Sequence, residues 1–91
     1  MSSIPDKKKR SKSVESLRVR ADQALGELLD VPLSRGLYLV ATPIGHLSDI
    51  SLRALSTLAG ASVIYCESPR HSRKLLSHYA IRSKIRAYND H

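Results

Sequence analysis

Glu67, Arg70 and His71 are the residues of this chain whose types and spacing best suit acid–base or anion-binding chemistry. They lie close together in the sequence Cys-Glu-Ser-Pro-Arg-His, directly after an apolar run at residues 62–66. The Glu67 carboxylate could act as a general base or orient a substrate hydroxyl. Arg70 could bind a phosphate through two parallel hydrogen bonds, and His71 could donate, accept or transfer a proton. The alternative is that Glu67 and Arg70 pair only with each other or with a helix end, and that His71 is an exposed residue of a first helical turn.

A second candidate is the loop of residues 42–49, Thr-Pro-Ile-Gly-His-Leu-Ser-Asp, which follows another apolar run at residues 37–41. It lacks the G-x-G-x-x-G pattern that binds a pyrophosphate. Pro43 stiffens the loop, Ile44 offers an apolar side chain, and Gly45 allows a close approach to the backbone. These features suit a largely uncharged, adenosine-like ligand. An ordinary strand-to-helix turn is the alternative interpretation.

The elements that must position both regions alternate between strand and helix. Apolar runs and alternating patterns predict strands at residues 37–41, 62–66 and 84–88, and helical spacing predicts helices at residues 51–59 and 71–79. Ser48 or Asp49 is expected to cap the first of these helices, and Gly60 to end it. This order indicates a parallel α/β sheet with right-handed crossovers. Ligands of such sheets bind at the carboxyl ends of the strands, where both candidate regions are expected to lie.

The residues before Gly36 have a different composition. Residues 1–12 are predicted to form a disordered basic arm, which either attracts phosphates or is only a solvated tail. Its cationic residues are Lys7, Lys8, Lys9, Arg10 and Lys12. Residues 13–35 form an extension with a predicted amphipathic helix over residues 14–29, ended by Pro32. This helix could dock on a partner or cover the domain. Residues 36–91 are interpreted as an incomplete α/β domain, because three parallel strands are few for a sheet covered on both faces.

The overall composition limits the possible classes of protein. With 91 residues the chain forms at most one small domain, and its formal net charge of +7 without Trp or Phe indicates an anionic partner but no aromatic stacking platform. The single cysteine, Cys66, excludes a disulfide framework, fits a reducing cytoplasm and is interpreted as a small core residue. No apolar run is long enough to span a membrane, and no Cys/His spacing indicates a metal site.

Residues 37–55, Leu-Tyr-Leu-Val-Ala-Thr-Pro-Ile-Gly-His-Leu-Ser-Asp-Ile-Ser-Leu-Arg-Ala-Leu, closely resemble the opening of the ribosomal RNA small subunit methyltransferase I family. This family belongs to the tetrapyrrole methylase superfamily. Its opening motif is T-P-I-G-N-L-x-D-[IM]-[ST]-x-R-A-L, and its second-strand motif is E-D-T-R. The resemblance covers residues 37–91, whose last six residues look like the family's third strand and its exit. This chain has His46 where the family has Asn, and Ser68 and Pro69 between Glu67 and Arg70.

The resemblance implies a class III S-adenosylmethionine-dependent methyltransferase with two α/β domains, a donor bound between them, and a homodimer. The implied reaction is methylation of a cytidine ribose 2′-hydroxyl in 16S ribosomal RNA of the small ribosomal subunit, in the cytoplasm and away from membranes. Pro43, Ile44 and Gly45 would contact the donor, and Arg70 and the arm would contact RNA. Glu67 and His71 are candidates for the catalytic base, which could also lie beyond residue 91. As an N-terminal part of such an enzyme, the chain alone is expected to be inactive.

Two other functions remain open at this point. A sibling methylase could act on a tetrapyrrole or another small molecule, although siblings usually carry a more glycine-rich first loop. A truncated product without catalysis could bind RNA through its basic arm.

Overall fold

The fold is α/β, as the sequence predicts. The structure is a computed structural model, and it describes residues 1–4 and 11–88. In chain order the described elements are α1 (Lys12–Asp30), a 3-10 turn (Leu47–Asp49), α2 (Leu52–Gly60), β1 (Val63–Cys66), α3 (Pro69–His78) and β2 (Lys84–Ala87). The arm residues Lys7, Lys8, Lys9 and Arg10 lie outside the described residues, as do residues 89–91.

The two strands, which correspond to the second and third predicted strands, form a parallel sheet, as the sequence predicts. Ile64 is in register with Ile85, and both pack against the core. The next pair in register, Tyr65 and Arg86, is exposed on the opposite face, because successive strand side chains alternate between faces. The crossover between the strands is α3, which packs against β2. Cys66 ends β1 and is half-buried.

The hydrophobic core lies between α2, α3 and the inner face of the sheet. Its buried side chains are Ile50, Ala54, Leu58, Leu75 and Leu76. Half-buried side chains surround them, namely Val40, Leu47, Leu55, Ile64, Tyr79, Ile81 and Ile85. All of these residues belong to the part of the chain that follows residue 36. The helices predicted over residues 51–59 and 71–79 therefore pack on the sheet through the same regularly spaced apolar side chains from which they were predicted.

The prediction of a strand at residues 37–41 is wrong, because the structure has no strand there. Leu37 and Leu39 are 87% and 93% exposed, and only Val40 of this segment packs against the core. An apolar run indicates side chains that avoid water, but a strand also needs a neighbouring strand with unpaired backbone N–H and C=O groups. In the described residues β1 and β2 pair only with each other.

The predicted cap of α2 is also wrong. Ser48 and Asp49 lie in the 3-10 turn, where the Asp49 N–H donates to the His46 carbonyl at 3.1 Å. The cap is Ser51, whose hydroxyl oxygen accepts a hydrogen bond from the Ala54 N–H at 3.0 Å. Gly60 is the last residue of α2, close to its expected end.

The starts of the other helices follow from local chemistry. α3 begins at Pro69, two residues before the predicted start, because proline suits the first turn, where its missing N–H costs no hydrogen bond. The predicted N-terminal helix is confirmed as α1, which is capped by Ser11 and ends at Asp30, two residues before Pro32. The structure packs α1 against α2. Within the described residues, no helix has the length and apolar composition needed to cross a membrane.

Candidate functional site

Glu67, Arg70 and His71 lie together at the carboxyl end of β1, as the sequence predicts. Glu67 follows the last strand residue, and Arg70 and His71 lie in the first turn of α3. Ser68 occupies the N-cap position with an extended backbone, and its carbonyl accepts a hydrogen bond from the Ser72 N–H at 3.2 Å. The tight connection between strand and helix therefore holds a carboxylate, a guanidinium and an imidazole within five residues at one edge of the sheet.

All three of these side chains are exposed. In the described part of the chain they form no hydrogen bond to one another. An exposed guanidinium can bind a phosphate, and an exposed carboxylate can accept a hydrogen bond from a hydroxyl group. The arrangement therefore suits the binding and orientation of a polar, anionic substrate. Within the same residues, no group of three or more His, Cys, Asp or Glu side chains could hold a metal ion.

The loop of residues 42–49 has a backbone conformation at Gly45 that glycine adopts readily. Gly45 has a φ of +102°, a conformation that residues with a side chain rarely adopt. A Cβ atom at Gly45 would meet no other atom within 4 Å, so the space beside this backbone is open. Ile44 is 100% exposed, and Pro43 is half-buried. The loop thus offers one accessible wall, made of backbone and an apolar side chain.

The far end of this loop is fixed by a side chain that directly follows α3. The Tyr79 hydroxyl donates a hydrogen bond of 2.9 Å to the Leu47 carbonyl. Tyr79 follows the last turn of α3, a helix about 15 Å long whose first turn carries Arg70. Leu47 is therefore anchored at the opposite end of α3 from Arg70. The structure brings Glu67, Arg70 and His71 together, but its described hydrogen bonds do not join the loop to them.

A second long-range hydrogen bond fixes the entry to β2. The Ser83 hydroxyl donates to the Leu58 carbonyl at 2.8 Å, near the end of α2. Nothing in the local sequence around Ser83 or Tyr79 signals these contacts, because each partner lies more than twenty residues away. The first contact anchors the far end of the loop, and the second fixes the start of β2 to the end of α2.

Comparison with known proteins identifies relatives with one shared name. The chain is 58% identical over 60 residues to a ribosomal RNA small subunit methyltransferase I from Mesorhizobium japonicum, which is 66% of this chain and 20% of that protein. It is 52% identical over 59 residues to the protein of the same name from Rickettsia prowazekii, covering 65% of this chain and 21% of the relative. The corresponding protein from Haemophilus influenzae is 54% identical over 55 residues, 60% of this chain and 19% of the relative.

The matched segment covers most of this chain but only a small part of each relative. No protein-family model and no solved structure matches the chain. A contiguous stretch of 60 residues in a chain of 91 includes residues 32–60 wherever it begins, so the match to the Mesorhizobium protein includes the loop of residues 42–49. The chain spans about a fifth of the length of the relatives it matches. Over about two thirds of its own length, this chain is homologous to proteins named ribosomal RNA small subunit methyltransferase I.

Proposed function

We propose that this chain forms part of an S-adenosylmethionine-dependent methyltransferase that modifies the 2′-hydroxyl of a cytidine ribose in 16S ribosomal RNA. The observation that carries the proposal is the 58% identity over 60 residues to a protein named ribosomal RNA small subunit methyltransferase I. This segment includes the exposed loop with the glycine at positive φ. The name supports RNA methylation, and the resemblance of residues 42–55 to the family motif supports the finer assignment of donor and ribose.

The donor-binding role is assigned to Pro43, Ile44 and Gly45. When bound, S-adenosylmethionine would supply an electrophilic methyl carbon on a sulfonium. A hydroxyl oxygen would bond to this carbon as the C–S bond breaks, S-adenosylhomocysteine would leave, and the hydroxyl proton would pass to a nearby acceptor. Gly45 would allow the donor to approach the backbone, and the fully exposed Ile44 would cover an apolar part of it. Holding the donor and the hydroxyl in line is the main contribution expected of the protein, because correct orientation removes much of the entropic barrier.

The substrate-binding role is assigned to the residues after β1. Arg70 would bind an RNA phosphate, and Glu67 would accept a hydrogen bond from the ribose hydroxyl, with His71 as the other candidate for proton transfer. A ribose hydroxyl is a weak nucleophile, so a nearby acceptor would increase its reactivity. The proposed partners are the small ribosomal subunit in the cytoplasm and a second copy of the completed protein.

Because the chain spans about a fifth of its relatives, we expect the 91-residue polypeptide alone to be inactive. The loop supplies one accessible wall of a donor site, and the remaining walls would come from the rest of such an enzyme. The proposal is therefore tested in a chimera, in which residues 36–91 of this chain replace the matching segment of the Mesorhizobium japonicum relative.

The chimera and its unmodified parent are incubated with methyl-labelled S-adenosylmethionine and small ribosomal subunits that lack the modification. The nucleosides are then separated and identified by mass spectrometry. We expect 2′-O-methylcytidine from both proteins. A folded chimera that transfers no methyl group, or that methylates a base instead of a ribose, would contradict the proposal.

A further inference from the structure

The positive charge of the folded part of the chain is concentrated in α3 and the segment that follows it. Between the start of α2 and the end of β2, residues 52–87, the sequence has seven Lys and Arg residues and one acidic residue, Glu67. In contrast, α1 has three cationic and four acidic residues. The family resemblance implies RNA contacts for the N-terminal arm and Arg70, whereas the structure reveals a larger basic surface.

Helix α3 presents this charge on one side because its apolar side is used by the core. Leu75 and Leu76 are only 5% and 3% exposed. At 100° per residue, Arg70, Lys74 and Ser77 lie on the side directly opposite these leucines. All three are exposed, and α3 contains no acidic residue. The exposed side of this helix, which is about 15 Å long, is therefore basic, and no carboxylate of α3 neutralises its charge.

A second element adds a guanidinium beside α3. Arg73 lies on the flank of the helix, and Arg73 and Arg82 both line an open cleft of about 580 Å³. The floor of this cleft includes Leu76, Ile81 and Ile85. Two cationic side chains thus flank one cleft, although they come from different segments of the chain.

The turn between Arg73 and Arg82 is defined by backbone hydrogen bonds. Ala80 has a φ of +57° and its N–H donates to the Ser77 carbonyl, while the Ile81 N–H donates to the Leu76 carbonyl at 2.8 Å. This is the Schellman arrangement that commonly ends a helix. Because Ile81 and Leu76 also pack in the core, the turn holds the backbone of the following Arg82 in a fixed position relative to α3.

We propose that this surface, the α3 basic face formed by Arg70, Arg73, Lys74 and Arg82, binds the phosphate backbone of the RNA substrate. The inference rests on the proposed function, since it names the surface along which that substrate lies. Three cationic groups along α3, with a fourth from Arg82 beside it, suit a linear array of phosphates. Arg70 at the start of α3 connects this array to Glu67 at the candidate site.

A membrane surface is the other anionic partner that a basic helix could bind, but the apolar side of α3 is buried in the protein core. A helix that binds a bilayer inserts an apolar side between the lipids. The apolar side of α3 is occupied by the core, and the side that remains exposed is basic and polar. The exposed residues are Arg70, His71, Arg73, Lys74, Ser77 and His78. This surface can attract phosphates but has no side chain to insert into lipid.

The test compares two double variants of the 91-residue chain that lose the same charge. Arg73→Gln/Arg82→Gln removes two cations from the α3 basic face, and Arg18→Gln/Arg20→Gln removes two from the exposed surface of α1. Binding to a fluorescently labelled stem-loop of 16S ribosomal RNA is measured by anisotropy over a range of salt concentrations. Circular dichroism shows whether each variant keeps its helices.

We expect the Arg73/Arg82 variant to bind more weakly at every salt concentration. The slope of log K against log salt should fall by about 2, about 1 for each lost phosphate contact. The Arg18/Arg20 variant should keep the parent slope. Equal losses in both variants would show a response to net charge alone, and an unchanged slope in the Arg73/Arg82 variant would show that the face does not contact RNA. Either result overturns the inference. The inference also fails if the parent chain binds anionic phospholipid vesicles as strongly as RNA and the Arg73/Arg82 variant loses this vesicle binding.

The same substitutions in the chimera distinguish this inference from the proposed function. If the chimera methylates RNA and Arg73→Gln/Arg82→Gln changes neither KM for the subunit nor the salt dependence, the inference fails while the proposed function stands. If the chimera is inactive but the 91-residue chain loses salt-dependent RNA binding in the Arg73/Arg82 variant alone, the proposed function fails while the RNA-binding face stands.

Discussion

The Tyr79 hydroxyl donates a hydrogen bond to the Leu47 carbonyl, and this contact ties the end of α3 to a turn that precedes it by 32 residues. Tyr79 is half-buried and packs against the core, so its hydroxyl reaches Leu47 from the apolar side of the helix. The contact holds the end of the loop of residues 42–49 against the folded part of the chain. Its loss should therefore affect both stability and loop order.

Replacing this hydroxyl tests that role. We expect Tyr79→Phe to lower the free energy of unfolding by about 1 kcal/mol, because it removes one hydrogen bond and leaves the Leu47 carbonyl without this donor. Urea denaturation followed by circular dichroism measures the change. The matched control is Tyr38→Phe, whose hydroxyl bonds the Ser34 carbonyl only four residues away in an exposed segment. Equal effects of the two substitutions would contradict a special role for the Tyr79 contact.

The cap of α2 gives a second prediction. Ser51→Ala should lower the free energy of unfolding by about 1 kcal/mol, because the Ala54 N–H would lose its side-chain acceptor. Ser48→Ala is the control at the position that sequence patterns favoured, and a change below about 0.5 kcal/mol is expected there. Thermal and urea denaturation of both variants measure these values. A larger effect at Ser48 than at Ser51 would contradict this prediction and would indicate that Ser48 is the cap.

The sequence predicts those parts of the fold that depend on local spacing. The helices α1, α2 and α3 and the strands β1 and β2 follow from apolar periodicity, and each carries its own pattern within a short window. The sequence does not identify the cap of α2, because Ser48, Asp49 and Ser51 have similar cap preferences and only the backbone of the 3-10 turn selects Ser51. A choice among neighbouring polar residues depends on geometry that composition does not contain.

The candidate site shows the same division. Glu67, Arg70 and His71 could be placed together because they follow one strand and begin one helix. The apolar run at residues 37–41 cannot by itself show whether a strand forms, since a strand also depends on a hydrogen-bonding neighbour elsewhere in the chain. The sequence also does not indicate that Arg73 and Arg82 lie beside one cleft, because the turn around Ala80 that brings them there contains no glycine.

That turn supplies a third prediction. Ala80 has positive φ at the position where helices usually end in glycine. Ala80→Gly should relieve about 1–2 kcal/mol of backbone strain and lose part of this gain to the greater freedom of the unfolded chain. A net stabilisation of about 0.5–1 kcal/mol is expected from urea denaturation. The control, Ala59→Gly, lies within α2 and should instead destabilise the protein. Destabilisation by both substitutions would show that Ala80 is unstrained.

The N-terminal arm gives a fourth prediction, and the structure sets the limit of the deletion. Ser11 caps α1, so removing residues 1–10 takes away Lys7, Lys8, Lys9 and Arg10 but keeps the cap. If the arm contacts RNA, the deletion should weaken binding to the labelled stem-loop and reduce the salt dependence, because fewer counterions are released. Anisotropy at several salt concentrations measures both. An unchanged slope would show that the arm takes no part in binding.

The last prediction concerns the donor loop and separates ligand contact from backbone strain. Gly45 and Gly36 both have positive φ, +102° and +152°, and a Cβ atom at either position would meet no atom within 4 Å. Valine should therefore strain the backbone at both positions by about 1–2 kcal/mol or more, whereas only Gly45 lies in the proposed donor loop. In the chimera we expect Gly45→Val to abolish S-adenosylmethionine binding in titration calorimetry, and Gly36→Val to retain it. His46→Asn should bind at least as well as the parent chimera, because it introduces the family residue and asparagine suits a turn. If Gly45→Val folds by circular dichroism and binds the donor with unchanged affinity, the loop is only a turn between two elements, and the donor site must be sought elsewhere.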